Sequence, residues 1–107
     1  MNVELVEEDR KDNELFFSIF DKDTGNIVGI LFTVGDHVAY EVFEKYRNQG
    51  AATQALRSIT SKMNRPLLDI RKDNIYSIRT AKRVGYKLIE TGGPFELYAY
   101  DNERKLK

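Results

Sequence analysis

The chain has 107 residues, and its seventeen basic and seventeen acidic side chains cancel. That length fits one small domain with a single core, and the charge balance leaves no overall field to draw nucleic acid or an anionic membrane. Cysteine is absent and His37 is the only histidine, which excludes disulfides, thiolate catalysis and cysteine-ligated zinc and leaves little from which to build a histidine metal site.

The start, Met1 to Glu8, is acidic and has no long apolar stretch, and no window approaches the length that crosses a bilayer. A soluble cytoplasmic protein is therefore expected. Val3-Glu4-Leu5-Val6 opens as a strand. Glu14 to Phe20 and Asn26 to Val34 are β-branched and aromatic runs separated by Asp21-Lys22-Asp23-Thr24-Gly25, which predicts a hairpin. After the turn at Gly35-Asp36, His37 to Phe43 reads as a third strand of the meander, with Tyr40 and Val42 on one face and Glu41 and Phe43 on the other.

That strand runs into Tyr46-Arg47-Asn48-Gln49-Gly50-Ala51-Ala52-Thr53, whose small residues open a helix. An anion can approach the backbone N–H groups that a first helical turn leaves unpaired, at the positive end of the helix dipole. Ala55, Leu56, Ile59 and Met63 follow helical spacing until Pro66 breaks the pattern. Leu67, Leu68 and Ile70 then form a short strand, expected to run parallel to the His37 to Phe43 strand. Asp73 or Asn74 caps a second helix, which Gly85 ends. Tyr86 to Glu90 and Phe95 to Tyr100 make a last hairpin around Gly92-Gly93-Pro94, and Asn102 to Lys107 is a charged tail expected to fray. The whole chain, residues 1–107, reads as one α/β (α+β) domain: a mixed, mainly antiparallel sheet flanked by helices.

Two motifs carry a resemblance. Arg47-Asn48-Gln49-Gly50-Ala51-Ala52 and Asn74-Ile75-Tyr76-Ser77, the latter followed by Gly85-Tyr86, together resemble the GNAT family of acyl-CoA N-acyltransferases. The Asn-x-x-Ser-x-Arg pattern is most similar to the branch with ribosomal-protein N-terminal acetyltransferases. The resemblance implies acetyl-CoA as cofactor. Its pyrophosphate would lie on Arg47, Asn48, Gln49, Gly50, Ala51, Ala52 and Thr53. Val42 and Phe43 would bond pantetheine through their backbone, and Asn74 would hold the same arm. For the reaction, it implies His37 or Glu41 as base and Ser77 as the group nearest the cofactor's sulfur. Arg71, Lys72, Arg79, Lys82 and Arg83 read as a wet helix face within reach of phosphates.

The chain also departs from that pattern. Family members place two helices between the first two strands, whereas only Glu7 to Asn13 separates them here, too short for a helical pair. The tyrosine that supplies a proton in many members is Ala81. An open acceptor side is expected, filled by a polypeptide or by a second copy in a homodimer, or left idle in a non-catalytic acyl-CoA-binding or protein-interaction module. The transferase reading takes an amine acceptor, preferably the α-amine of a peptide or amino acid.

Overall fold

The computed structural model describes residues 1–100, so the expected fraying of Asn102 to Lys107 lies outside the described part. Strands β1 (Val3–Lys11), β2 (Glu14–Asp21), β3 (Ile27–Val34) and β4 (His37–Val42) are followed by helix α1 (Ala51–Lys62) and β5 (Leu67–Arg71). Helix α2 (Ile75–Val84) and strands β6 (Tyr86–Gly92) and β7 (Phe95–Tyr100) complete the described chain. The strands form one sheet in the order β1-β2-β3-β4-β5-β7-β6. Every described neighbour pair is antiparallel except β4 with β5.

No helix separates β1 from β2, as the short spacing requires. The segment is not a loose connection, however. β1 continues through the charged run to Lys11, with Asp9 opposite Phe16, Arg10 opposite Leu15 and Lys11 opposite Glu14. Those residues have no apolar alternation to reveal a strand; backbone pairing builds it, and charges suit the outer edge of a sheet. The other end of β1 is tied to α1: the Gln54 side chain accepts from the Val3 N–H at 2.9 Å and donates to the Met1 carbonyl.

Alternation along each strand sends Phe17, Ile19, Leu31, Val38, Leu68, Ile70 and Tyr98 into one core, where they meet Ala52, Ala55, Leu56 and Ile59 of α1 and Ala81 of α2. Burying a side chain such as Leu56 or Ile59 contributes about 1.5–3 kcal/mol. Both helices lie on that face. The Tyr40 hydroxyl meets the Ser77 carbonyl of α2 at 3.4 Å, and Tyr86 and Thr60 of α1 share a buried 2.6 Å hydrogen bond. The outer face carries Phe16 of β2, Phe32 and Val34 of β3, and His37, Ala39 and Glu41 of β4. Among the described residues no helix covers it, and Phe16, Phe32 and Val34 remain 38, 40 and 43% exposed.

Candidate active site

β4 and β5 pair only at His37 with Leu67 and Val38 with Leu68. Beyond that rung the two strands are unpaired, and a cleft of about 650 Å³ occupies the gap, lined by Tyr40, Glu41, Val42, Arg47, Arg71, Asp73, Asn74, Tyr76 and Ser77. It is lined from both faces, since Tyr40 and Val42 point to the core side and Glu41 to the outer side. The Phe43 N–H donates to the Val28 carbonyl at 2.9 Å. Because amide direction alternates along an antiparallel strand, Tyr40 and Val42 turn their backbone groups toward the gap. The Phe43 carbonyl accepts from the Tyr46 N–H at 2.8 Å, so the sheet and the following turn engage both of that residue's backbone groups.

The cleft leads to the start of α1. Gly50 occupies the N-cap position with φ +83°, and no side chain caps the helix. The first intrahelical bond is that from the Gln54 N–H to the Gly50 carbonyl, so the N–H groups of Ala51, Ala52 and Thr53 face the end of the helix as donors for an anion. Ala51 and Ala52 bury their methyl groups in the core and contribute only backbone. A second cleft of about 390 Å³ opens beside them, lined by Asn48, Gly50, Thr53, Ile75, Tyr76, Arg79, Thr80 and Arg83. Arg79 and Arg83 thus bring two cations to the cleft beside the start of α1, although their spacing alone reads as a solvated helix face. Gln49 is exposed and lines neither cleft.

Arg47 sits differently from its neighbours in the motif. Its Nε donates to the Val42 carbonyl at 3.0 Å, and its guanidinium stands 6.0 Å from the centre of the Tyr76 ring. Arg47 therefore walls the β4–β5 cleft and closes off the Val42 carbonyl, leaving the Val42 N–H for a ligand. Asn74 caps α2 by accepting the Ser77 N–H on Oδ1 at 3.1 Å, so its amide group remains as the side-chain donor. These neutral and cationic donors around a phosphate-sized helix end fit a pantetheine arm followed by a pyrophosphate.

Ser77 lines the cleft, where its carbonyl receives the Tyr40 hydroxyl. Tyr40 was not among the site residues expected from the sequence; only its place on the same strand face as Val42 hinted at the cleft. Burial pushes its phenol up to about 12, which keeps its proton in place through neutral pH. Ala81 is fully buried and offers no proton. His37 lies on the outer face at the closed end of the gap, one rung from where the strands part. Its Nδ1 meets Asp69 Oδ2 of β5 at 2.6 Å, a contact between residues 32 apart that the sequence did not announce. Glu41 is exposed on the same face, four residues nearer the cleft mouth.

Solved structures share the fold of this chain. RimL, a ribosomal L7/L12 α-N-protein acetyltransferase solved in complex with coenzyme A, superposes with a TM-score of 0.71 at 19% identity, over 81% of this chain and 61% of that one. A spermidine N-acetyltransferase chimera from Vibrio cholerae SpeG and hSSAT gives 0.74 at 10% identity, over 89% and 73%. The ribosomal-protein-S5-alanine acetyltransferase of Vibrio fischeri gives 0.69 at 16% identity, over 85% and 63%. At these identities the likeness is one of fold, and the chain spans about three fifths of RimL's length. A search of curated proteins returns no match. Residues 2–86 match the Acetyltransferase (GNAT) family, whose acyl donor is acetyl-CoA: the chain belongs to that family.

Proposed function

We propose that this chain binds acetyl-CoA across the β4–β5 gap and transfers the acetyl group directly to an amine, preferably the α-amine of a peptide or amino acid, in the cytoplasm. The observation that carries this reading is the continuity of the site. The uncapped start of α1, the backbone of Tyr40 and Val42, and the closed end of the gap beside His37 follow one another along β4. From Val42 to Ala39 is three residue steps, about 10 Å at ~3.3 Å each. A pantetheine arm laid there has its phosphates at α1 and its thioester at the closed end.

Bound acetyl-CoA supplies the thioester: the amine nitrogen bonds to the carbonyl carbon, the C–S bond breaks, and coenzyme A leaves as a thiolate. The chain's residues handle the protons. His37 takes the proton that the amine loses, and the hydroxyl of Ser77, in the cleft, donates a hydrogen bond to the departing sulfur, which takes its proton from solvent. The Val42 N–H and the Asn74 amide hold the arm, while the N–H groups of Ala51 to Thr53, with Arg79 and Arg83, hold the phosphates.

The choice of α-amine follows from the modest base. With a reference pKa of ~10.4, about 0.1% of a lysine side chain is neutral at pH 7.4, against roughly 20–30% of an α-amine at ~7.7–8.0. A bare, partly apolar outer face next to His37 suits an extended peptide better than a small polyamine, and it equally offers a contact for a second copy of the chain. Paired peptides test the reading, one with its N-terminus blocked and one with its lysine blocked. Acetylation of the free N-terminus should be faster. Faster lysine acetylation would overturn the α-amine preference, and tight CoA binding without turnover on either would favour the non-catalytic module, to which the buried Ala81 already lends support.

A further inference from the structure

We propose that Asp69 is the positioning residue for His37, holding the imidazole so that Nε2 faces the acceptor amine; this rests on the acetyltransferase reading above. His37 and Asp69 come from the two strands whose pairing ends here. His37 pairs with Leu67, which places Asp69 level with Ala39, the first unpaired position of β4. The 2.6 Å contact between Nδ1 and Oδ2 therefore spans the point where the strands part.

Stability does not account for the contact. Both side chains are about half exposed, and an exposed ion pair contributes only about 0–1 kcal/mol. Its effect is on geometry and tautomer. A carboxylate accepts and does not donate, so Nδ1 carries the hydrogen and the neutral ring keeps its lone pair on Nε2. That is the form a general base requires. When Nε2 takes the amine's proton, the imidazolium that results lies against the Asp69 carboxylate, and the proton then leaves to solvent.

The surroundings leave this pair undisturbed. On the outer face His37 is flanked by Val34 of β3 and Leu67 of β5, with Phe32 and Ala39 one step along. Of the charged groups nearby, Asp36 precedes it in the turn, and Glu41 and Arg71 stand further toward the cleft mouth. Arg71 is itself held by Asp73 at 3.2 Å and lies over the Phe95 ring. Asp69 alone, among the described residues, contacts the imidazole through a hydrogen bond.

His37 is the only histidine of the chain, so ¹⁵N labelling of histidine gives one pair of ring-nitrogen signals that need no assignment. In the wild type these should report hydrogen on Nδ1. In Asp69→Asn, hydrogen should move toward Nε2, and kcat on the free-N-terminus peptide should fall on the order of 10-fold or more. KM for peptide and acetyl-CoA should stay within about twofold, the size of change that leaves ground-state binding intact. Asp69→Glu should recover part of the rate, and melting temperatures of all three proteins should agree closely. A wild type that transfers acetyl while Asp69→Asn changes neither tautomer nor kcat would overturn the role of Asp69 alone. A wild type with hydrogen on Nδ1 that binds CoA but acetylates neither peptide would overturn the acetyltransferase reading together with this role.

Discussion

A methyl group at position 29 would lie 2.3 Å from the carbonyl oxygen of Glu41 and 3.0 Å from the Cα of Val42. Both obstacles are backbone, so β4 itself would have to move. Gly29→Ala should cost about 1–3 kcal/mol, the usual range for overpacking, and should also weaken CoA binding, because the displaced residues wall the cleft; thermal melts with and without CoA measure both effects. Tyr40 and Tyr86 support a prediction about alkali. Burial pushes each phenol up to about 12, so the folded state retains protons that the unfolded chain loses above its ordinary value near 10. Their contribution is fully present below pH ~10 and lost as pH rises from there toward 12, at on the order of 1 kcal/mol per pH unit for each. Denaturant titrations of Tyr40→Phe and Tyr86→Phe should each show a flatter loss over that interval than the wild type.

Among the elements, those whose strand faces differ in burial were legible from side-chain pattern. The alternating aliphatic and aromatic runs of β2, β3 and β4, the helical spacing of Ala55, Leu56 and Ile59, and the stop at Gly85 fell where expected, whereas α1 ends at Lys62, so that Met63 is already extended ahead of Pro66. The second half of β1 did not, because Glu7 to Lys11 pairs through backbone and carries only charge. The clefts were legible in part. The glycine and alanines at the start of α1 mark a place where a phosphate can reach the backbone. That Arg47 folds back onto Val42, that Phe43 is engaged by the sheet and that Asp69 meets His37 all depend on tertiary neighbours. No local spacing encodes them. Phe32 tests the outer face: at 40% exposure, Phe32→Asp should cost about 1–2 kcal/mol and leave the protein folded. It should nevertheless raise KM for a peptide acceptor several-fold while leaving the CoA-induced melting shift unchanged. An unaltered peptide KM would place the acceptor elsewhere.

For the molecule as a whole, the helices gather on one face of the sheet and leave the other for contact. The cofactor site needs only the gap between β4 and β5 and the start of α1, both complete within residues 1–100, so binding should not depend on what meets the bare face. Light scattering across micromolar concentrations reports whether a second copy occupies that face, and a dimer that dissociates on adding peptide would show that both use the same surface. The central claim is that the β4–β5 gap and the start of α1 form an acetyl-CoA site, and the most direct test is a thermal melt with and without CoA for wild type and Gly50→Glu. A ligand at about 100 times its Kd stabilises the native state by ~2.7 kcal/mol, which for a domain of this size raises the melting temperature by on the order of 10 °C. The wild type should show that rise, and Gly50→Glu should lose it while keeping its far-UV spectrum, because a carboxylate would stand where the pyrophosphate binds. No shift in the wild type at millimolar CoA, or an equal shift in the variant, would contradict the account.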